Sequence, residues 1–449
     1  RQGAGNTISS DGSSFVRIVE GGTTPNVTLT NPGITDIHSL SIAANGAVTD
    51  IDVGTGNTLR LAADGAILIG QNAERLHVGV NDSAAAENGS LTAGGADNTA
   101  GDISILNYYE GNESRINSTI TDNGSGVVSV SHHGSGRTVL SGTNTYTGGT
   151  YFNGGTIRIS RDEALGAAPD EVDADNLVFN GGTLNVTDVT IHENRGVILN
   201  KQGGAFRVDT SLSYAGKISG EGSLTKSGGG YFILQGDNDY TGNTNVYGGT
   251  LQVDGSTGTG AVFVVSPSSV LAGTGTVRGF TYVTSGTIKA GAQQGTGIGT
   301  LNFSDGLIFE SGSTTSTSFK PRAQFDLTGG ASDRLAVTGD IELTTNAQLT
   351  ATLDGGYTLN LGDSWTLMTW SGMLNLNGYD FGVARNGSGD TDSSFDLPDL
   401  TALAGYDGEW WEISMANNAL VISIVPEPSR ATLALVAGVF LALRRRRSL

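Results

Sequence analysis

LSGTNTYTGGTYFNGGTIRI at 140–159 and LQGDNDYTGNTNVYGGTLQV at 234–253 are two copies of one pattern. Leu140 corresponds to Leu234, Gly142 to Gly236 and Asn144 to Asn238. Tyr146, Thr147 and Gly148 correspond to Tyr240, Thr241 and Gly242, and Gly154, Gly155 and Thr156 to Gly248, Gly249 and Thr250. The Gly-Gly pair supplies the positive φ of a tight turn. The alternations that follow it, Thr-Ile-Arg-Ile and Thr-Leu-Gln-Val, place side chains on opposite faces with period two. A strand this short buries one face and makes too small a core to stand alone, so the pattern predicts stacking of many similar rungs. The repeated Asn144 and Asn238 are expected to form polar ladders along the turns. Tyr146 and Tyr240 are expected to pack at turns or core edges.

Working outward, FNGGTLNV from Phe179 to Val186 is a partial copy. LAGTGTVRG (Leu271 to Gly279) and SGTIKAG (Ser285 to Gly291) are more degenerate ones. The 69 glycines among 449 residues fall at turns and show no Gly-X-Y period, which excludes collagen. Helical i, i+3, i+4 spacing is scarce before residue 430. The fold class is therefore all-β, a parallel β-solenoid. Rungs of ~22 residues and ~4.8 Å per stacked strand give residues 1–425 roughly 19 rungs and a length of roughly 90 Å. Four regions are expected: a divergent N-terminal solenoid at 1–135, the recognisable repeats at 136–300, a C-terminal solenoid and cap with longer strands at 301–425, and a tail at 426–449.

The net charge is −20, and five of the 24 basic residues sit in the tail with Glu427 as its one acid, so residues 1–425 carry −24. Such a surface disfavours nucleic acid and anionic membranes and favours solubility. The chain has no cysteine, which removes disulfide frameworks, zinc ribbons and thiol catalysis together. It starts at Arg1 without a signal-type apolar run and is read as a mature or partial chain.

The tail reads VPEPSRATLALVAGVFLALRRRRSL. Its apolar run includes Ala431, Leu433, Leu435, Val436, Val439, Phe440, Leu441 and Leu443. At ~1.5 Å per residue the 13 positions from Ala431 to Leu443 cover about 20 Å, a marginal span that snorkelling arginines and local thinning make feasible. Arg444, Arg445, Arg446 and Arg447 would stay cytoplasmic, placing the body outside the inner membrane. Pro426 and Pro428 flank Glu427 and hold an extended strip before the span, a suitable substrate for a processing enzyme.

Val425-Pro426-Glu427-Pro428, a short apolar helix and an arginine cluster together resemble the PEP-CTERM sorting signal. The resemblance implies that an exosortase-type enzyme reads the tail, and that the protein is transiently anchored in the inner membrane and then delivered to the cell surface or extracellular matrix. Carriers of such tails are typically biofilm- or exopolysaccharide-forming bacteria. Ile218 to Val253 resembles the autotransporter-associated β-strand repeat, as do Leu271 to Phe303 and Ser332 to Leu349. That family forms right-handed parallel β-helices. Its usual terminal membrane β-barrel has no counterpart after Val425, so export by another route is expected.

Chemistry-bearing constellations are sparse. His132 and His133 are adjacent and would face opposite ways on a strand. His192-Glu193 lacks the second histidine of a zinc-protease helix, and His38 and His77 stand alone. No Gly-x-Ser-x-Gly elbow occurs, and the Gly-rich triplets near 273 and 295–299 do not join a strand to a helix. Grouped carboxylates are the remaining option: Asp50 with Asp52, and Asp390, Asp392, Asp396 and Asp399 in a loop. Trp410 and Trp411 are expected to point one inward as a cap and one outward. The reading is a non-enzymatic surface or matrix protein, structural or adhesive, with no cofactor or metal. Its expected partners are the exosortase, exopolysaccharide or other matrix components, and the membrane through the tail. The alternatives are a polysaccharide-active β-helix lyase or hydrolase and a calcium-dependent binding module.

Overall fold

A computed structural model describes residues 7–19, 26–30, 32–43, 48–79, 89–292, 297–310, 320–353, 357–381, 394–402 and 408–426. Among them strands dominate, short 3-10 segments occur at Asp162–Leu165 and Leu400–Ala402, and no α-helix is present. None of the described residues forms a helix long and apolar enough to cross a membrane. The expected span, together with Glu427, Pro428 and the arginine cluster, lies outside the described residues. The chain divides into two compact units, residues 1–270 with 275–279, and residues 271–274 with 280–449.

In the first unit the chain coils past three walls in constant order. Thr183–Val186, Gly204–Val208, Leu224–Ser227 and Thr244–Val246 stack in parallel on one wall. Val189–Ile191, Ser211–Tyr214, Tyr231–Leu234 and Gly249–Val253 stack on a second. Asp173–Phe179, Arg195–Leu199 and Ile218–Gly220 stack on the third. Parallel neighbours need a long crossover, and here the crossover is the passage along the other two walls. Phe206 lies beside Lys226 and Lys226 beside Val246, so one turn takes 20 residues in this stretch. Earlier, the long strand Ile34–Ile42 pairs with Thr58–Leu61 through its first half and with Ala66–Ile69 through its second, serving two walls at once.

The period-two patterns supply the core. In Thr156–Ile159, Ile157 and Ile159 are buried while Thr156 and Arg158 are half-exposed. The interior is Ile, Leu and Val with an aromatic file: Phe152, Phe179, Phe206 and Phe232 are all buried, with successive ring centroids 4.2, 5.0 and 5.1 Å apart. Such contacts add to burial when rings are offset or tilted.

The second unit repeats the scheme. Leu307–Phe309, Ile341–Leu343 and Leu374–Asn375 stack on one wall, and Arg322–Thr328, Gln348–Leu353 and Phe395–Asp396 on another. On the third, Thr300–Phe303, Arg334–Val337 and Ser364–Trp370 are parallel. Ala419–Val425 then adds antiparallel to Ser364–Trp370, and Trp410–Ser414 antiparallel to Ala419–Val425. This reversal covers an edge that would otherwise template further pairing. Trp411 is buried and Trp410 half-exposed, as the sequence suggests. The Trp411 ring lies 6.0 Å from that of Trp365.

Candidate functional site

The repeated polar residues are structural braces. Asn144 Oδ1 accepts the backbone N–H of Ile120 at 2.8 Å, and its Nδ2 donates to the Ala164 carbonyl at 2.7 Å. Asn238 Oδ1 accepts from Ile218 N at 2.7 Å, and its Nδ2 donates to the Ser256 carbonyl at 2.6 Å. Each side chain thus stands in for a peptide group where the chain bends instead of forming a strand. Tyr146 and Tyr240 are buried more deeply than expected at a turn, each with its hydroxyl on a threonine four residues on, Thr150 at 2.7 Å and Thr244 at 2.6 Å. Burial pushes the pKa of the Tyr240 hydroxyl up to about 12.

Two buried cations, Arg195 and Lys226, were not singled out by the sequence reading, and His132, which was, is buried as well. Arg195 is fully buried, pairs with Asp162 at 3.0 Å and donates to the carbonyls of Leu165, Gly166 and Ala167, holding the 3-10 segment against the wall. Lys226 Nζ donates to the carbonyls of Ser227, Gly228 and Gly248, and burial lowers its pKa to about 8. His132 is buried between the Gly154 carbonyl at 2.9 Å and Thr138 Oγ1 at 3.0 Å, and desolvation holds its pKa at about 4. His133 points to the other face, as adjacent strand residues must. Among the described residues all three are tied to neighbouring turns.

The carboxylate candidates are dispersed. Asp50 and Asp52 share the outward face of Thr49–Asp52, where Asp50 pairs with His77 Nδ1 at 2.9 Å. Asp399 accepts the N–H and hydroxyl of Thr401. Asp396 pairs in register with Thr350, while Asp390 and Asp392 lie outside the described residues. Among the described residues no group of three or more His, Cys, Asp or Glu is placed to hold a metal ion.

Among the described residues, the surface concavities of the second unit include two with polar linings. One, of about 310 Å³, runs along Thr287, Arg322, Gln324, Gln348 and Thr350. Its Arg322 donates to Gln348 at 3.2 Å. The other, of about 380 Å³, is an open groove lined by Thr300, Ser332, Arg334, Ser364, Trp365 and Thr366 together with the Gly330–Ala331 backbone. Thr300 and Arg334 are register partners on adjacent turns. Ser332 Oγ donates to the Thr366 carbonyl at 2.9 Å, and Trp365, at the groove's floor, donates its indole N–H to the Thr328 carbonyl at 2.8 Å. Arg334 is exposed and has no ion-pair or side-chain hydrogen-bond partner among the described residues.

The described residues form stacked parallel turns, and the recurring corners at Asn144 and Asn238 fall within the segments that resemble known proteins. Residues 133–159 and 224–253 match the Passenger-associated-transport-repeat, and each match takes in one of the two copies of the Asn-x-Tyr pattern. A 127-residue stretch is 41% identical to the Adhesin BmaC autotransporter of Brucella suis biovar 1 (strain 1330), covering 27% of this chain and 4% of that protein. A 101-residue stretch is 41% identical to an Extracellular serine protease of Serratia marcescens, covering 22% of this chain and 9% of that protein. The chain therefore spans less than a tenth of the length of these curated relatives.

Proposed function

We propose that this chain is an exported, non-enzymatic passenger-type protein of the cell surface or extracellular matrix, working as an acidic spacer whose repeated faces adhere to matrix polysaccharide. The carrying observation is that the segments matching the passenger repeat fold as whole turns braced by the same buried Asn and Tyr. Such turns are built for stacking, and the similarity to an adhesin points the same way. The four-region organisation, the right-handed coil and exosortase sorting through Pro426, Glu427 and Pro428 belong to this proposal. So do transient anchoring by Ala431 to Leu443 and retention of Arg444 to Arg447 in the cytoplasm.

The test is incubation of the purified full chain with the host's own exopolysaccharide, scoring co-sedimentation and new reducing ends in the same tubes. Co-sedimentation without new ends supports the matrix reading. New reducing ends overturn the non-enzymatic assignment, and absence of both signals overturns the polysaccharide partner.

A further inference from the structure

We propose that the groove around Arg334 binds a carboxylate-bearing sugar residue of an acidic polysaccharide chain, with Arg334 as the group that selects the charge. The inference rests on the matrix-polysaccharide reading above and names the ligand chemistry and the site.

Acidic residues outnumber basic ones by 44 to 24, and several surface cations have found acids: Arg207 sits on Asp209, Lys217 on Asp239 and Arg278 on Asp237. Among the described residues Arg334 has no acidic partner, and no Asp or Glu lines its groove. A guanidinium left open in an acidic protein creates a local anion preference that the rest of the surface opposes. Its planar fork matches a carboxylate with two parallel N–H donors.

The walls specify the rest of the ligand. The side chains around Arg334 present hydroxyls: those of Thr300 and Thr366 can donate to and accept from a sugar hydroxyl, Ser364, which accepts from Ser423, can donate, and Ser332, which donates to the Thr366 carbonyl, can accept. The floor is fixed. Trp365 is buried, its indole N–H is committed to Thr328, and its ring packs on Trp411. A fixed floor limits the ordering cost of binding. A groove of about 380 Å³ falls within the ~300–1,000 Å³ of small-ligand clefts, and its open form lets a polymer continue past the bound residue. In the concavity along Arg322 the guanidinium Nε is already committed to Gln348, so its fork is not wholly open to a ligand.

The experiment is calorimetric titration of the full chain with a tetragalacturonate, with its carboxyl-reduced neutral tetramer, and with acetate. The charged tetramer is expected to bind about tenfold more tightly than the neutral one, because a hydrogen bond to a charged group is lost in the latter. Its affinity should also fall with added salt. Arg334→Gln should bring the charged tetramer down to the neutral level, while Arg334→Lys keeps part of the preference and Arg207→Gln changes nothing. Arg334 is exposed, so an unchanged melting temperature will show that Arg334→Gln is folded. Equal affinity for the two tetramers, equal affinity of wild type and Arg334→Gln, no binding of the charged tetramer, or acetate binding as tightly as the tetramer would each overturn the proposal. If host exopolysaccharide co-sediments while the charged tetramer does not bind, this site fails and the matrix reading stands. If the tetramer binds through Arg334 but the exopolysaccharide does not co-sediment, the matrix reading fails and the site stands.

Discussion

Asn238 substitutes for a peptide group, accepting from Ile218 and donating to Ser256 inside the unit. Asn238→Ala strands a buried N–H and a buried carbonyl, and should cost about 3 kcal/mol in urea unfolding. Wild-type stability after the change would mean that water replaces the amide. His132 makes the same interior sensitive to acid. Its folded pKa of about 4 lies below the unfolded 6.5, so its contribution is fully present above pH 6.5 and is lost as pH falls toward 4. Between pH 7 and pH 5 this amounts to roughly 2 kcal/mol. A His132→Gln variant should lack that slope. Asp333, whose burial holds its carboxyl up at about 6, acts with opposite sign and cancels when wild type and variant are compared. At this scale the sequence pointed to Asn144, Asn238, Tyr146 and Tyr240 because they recur. It was silent on Arg195 and Lys226, because each occurs once and a single cation reads as surface until its carbonyl partners are folded around it. Arg334 was missed for the same reason: a groove is made by distant turns, and nothing local marks it.

The recurring element is a turn of the coil, and its corners depend on glycine. Gly155 and Gly249 occupy the same place in the two copies with φ of +57° and +61°. A Cβ on Gly249 would lie 2.4 Å from the Gly230 carbonyl oxygen of the turn below. Gly249→Ala should therefore destabilise by about 2 kcal/mol or more, read as a lowered urea midpoint at unchanged m-value. In the aromatic file, Phe206→Ala opens a cavity between Phe179 and Phe232 and should cost about 3–5 kcal/mol. A loss under 1 kcal/mol would show that the file collapses to refill the space. Strand alternation and Gly-Gly corners were legible because both act over two or three residues. The substitution of an Asn-x-Tyr corner for a whole strand was not, since it is visible only against the preceding turn. Nor was the seating of the copies: Arg137–Leu140 belongs to the first wall, whereas its counterpart Tyr231–Leu234 belongs to the second.

For the whole molecule, period and composition pointed to an all-β parallel stack, and the described residues form one in each compact unit. The antiparallel closure at Ala419–Val425 followed less clearly, because alternation looks the same in parallel and antiparallel strands. The tail is chemically distinct from the acidic body, and its proposed role is separable from folding. Deleting 431–447 should release the protein from membranes while leaving the unfolding transition of the body unchanged. A lower melting temperature in the deletion variant would show that the tail packs on the body.

The two copies keep the same local contacts although they rest on different walls. A single turn is therefore a brick that carries its own brace and has no assigned face. A gene encoding such bricks can gain or lose one by unequal recombination at any repeat, without restoring a phase. In the cell-surface spacer proposed above, the number of turns would then change one at a time, with the braces that hold each turn copied along with it.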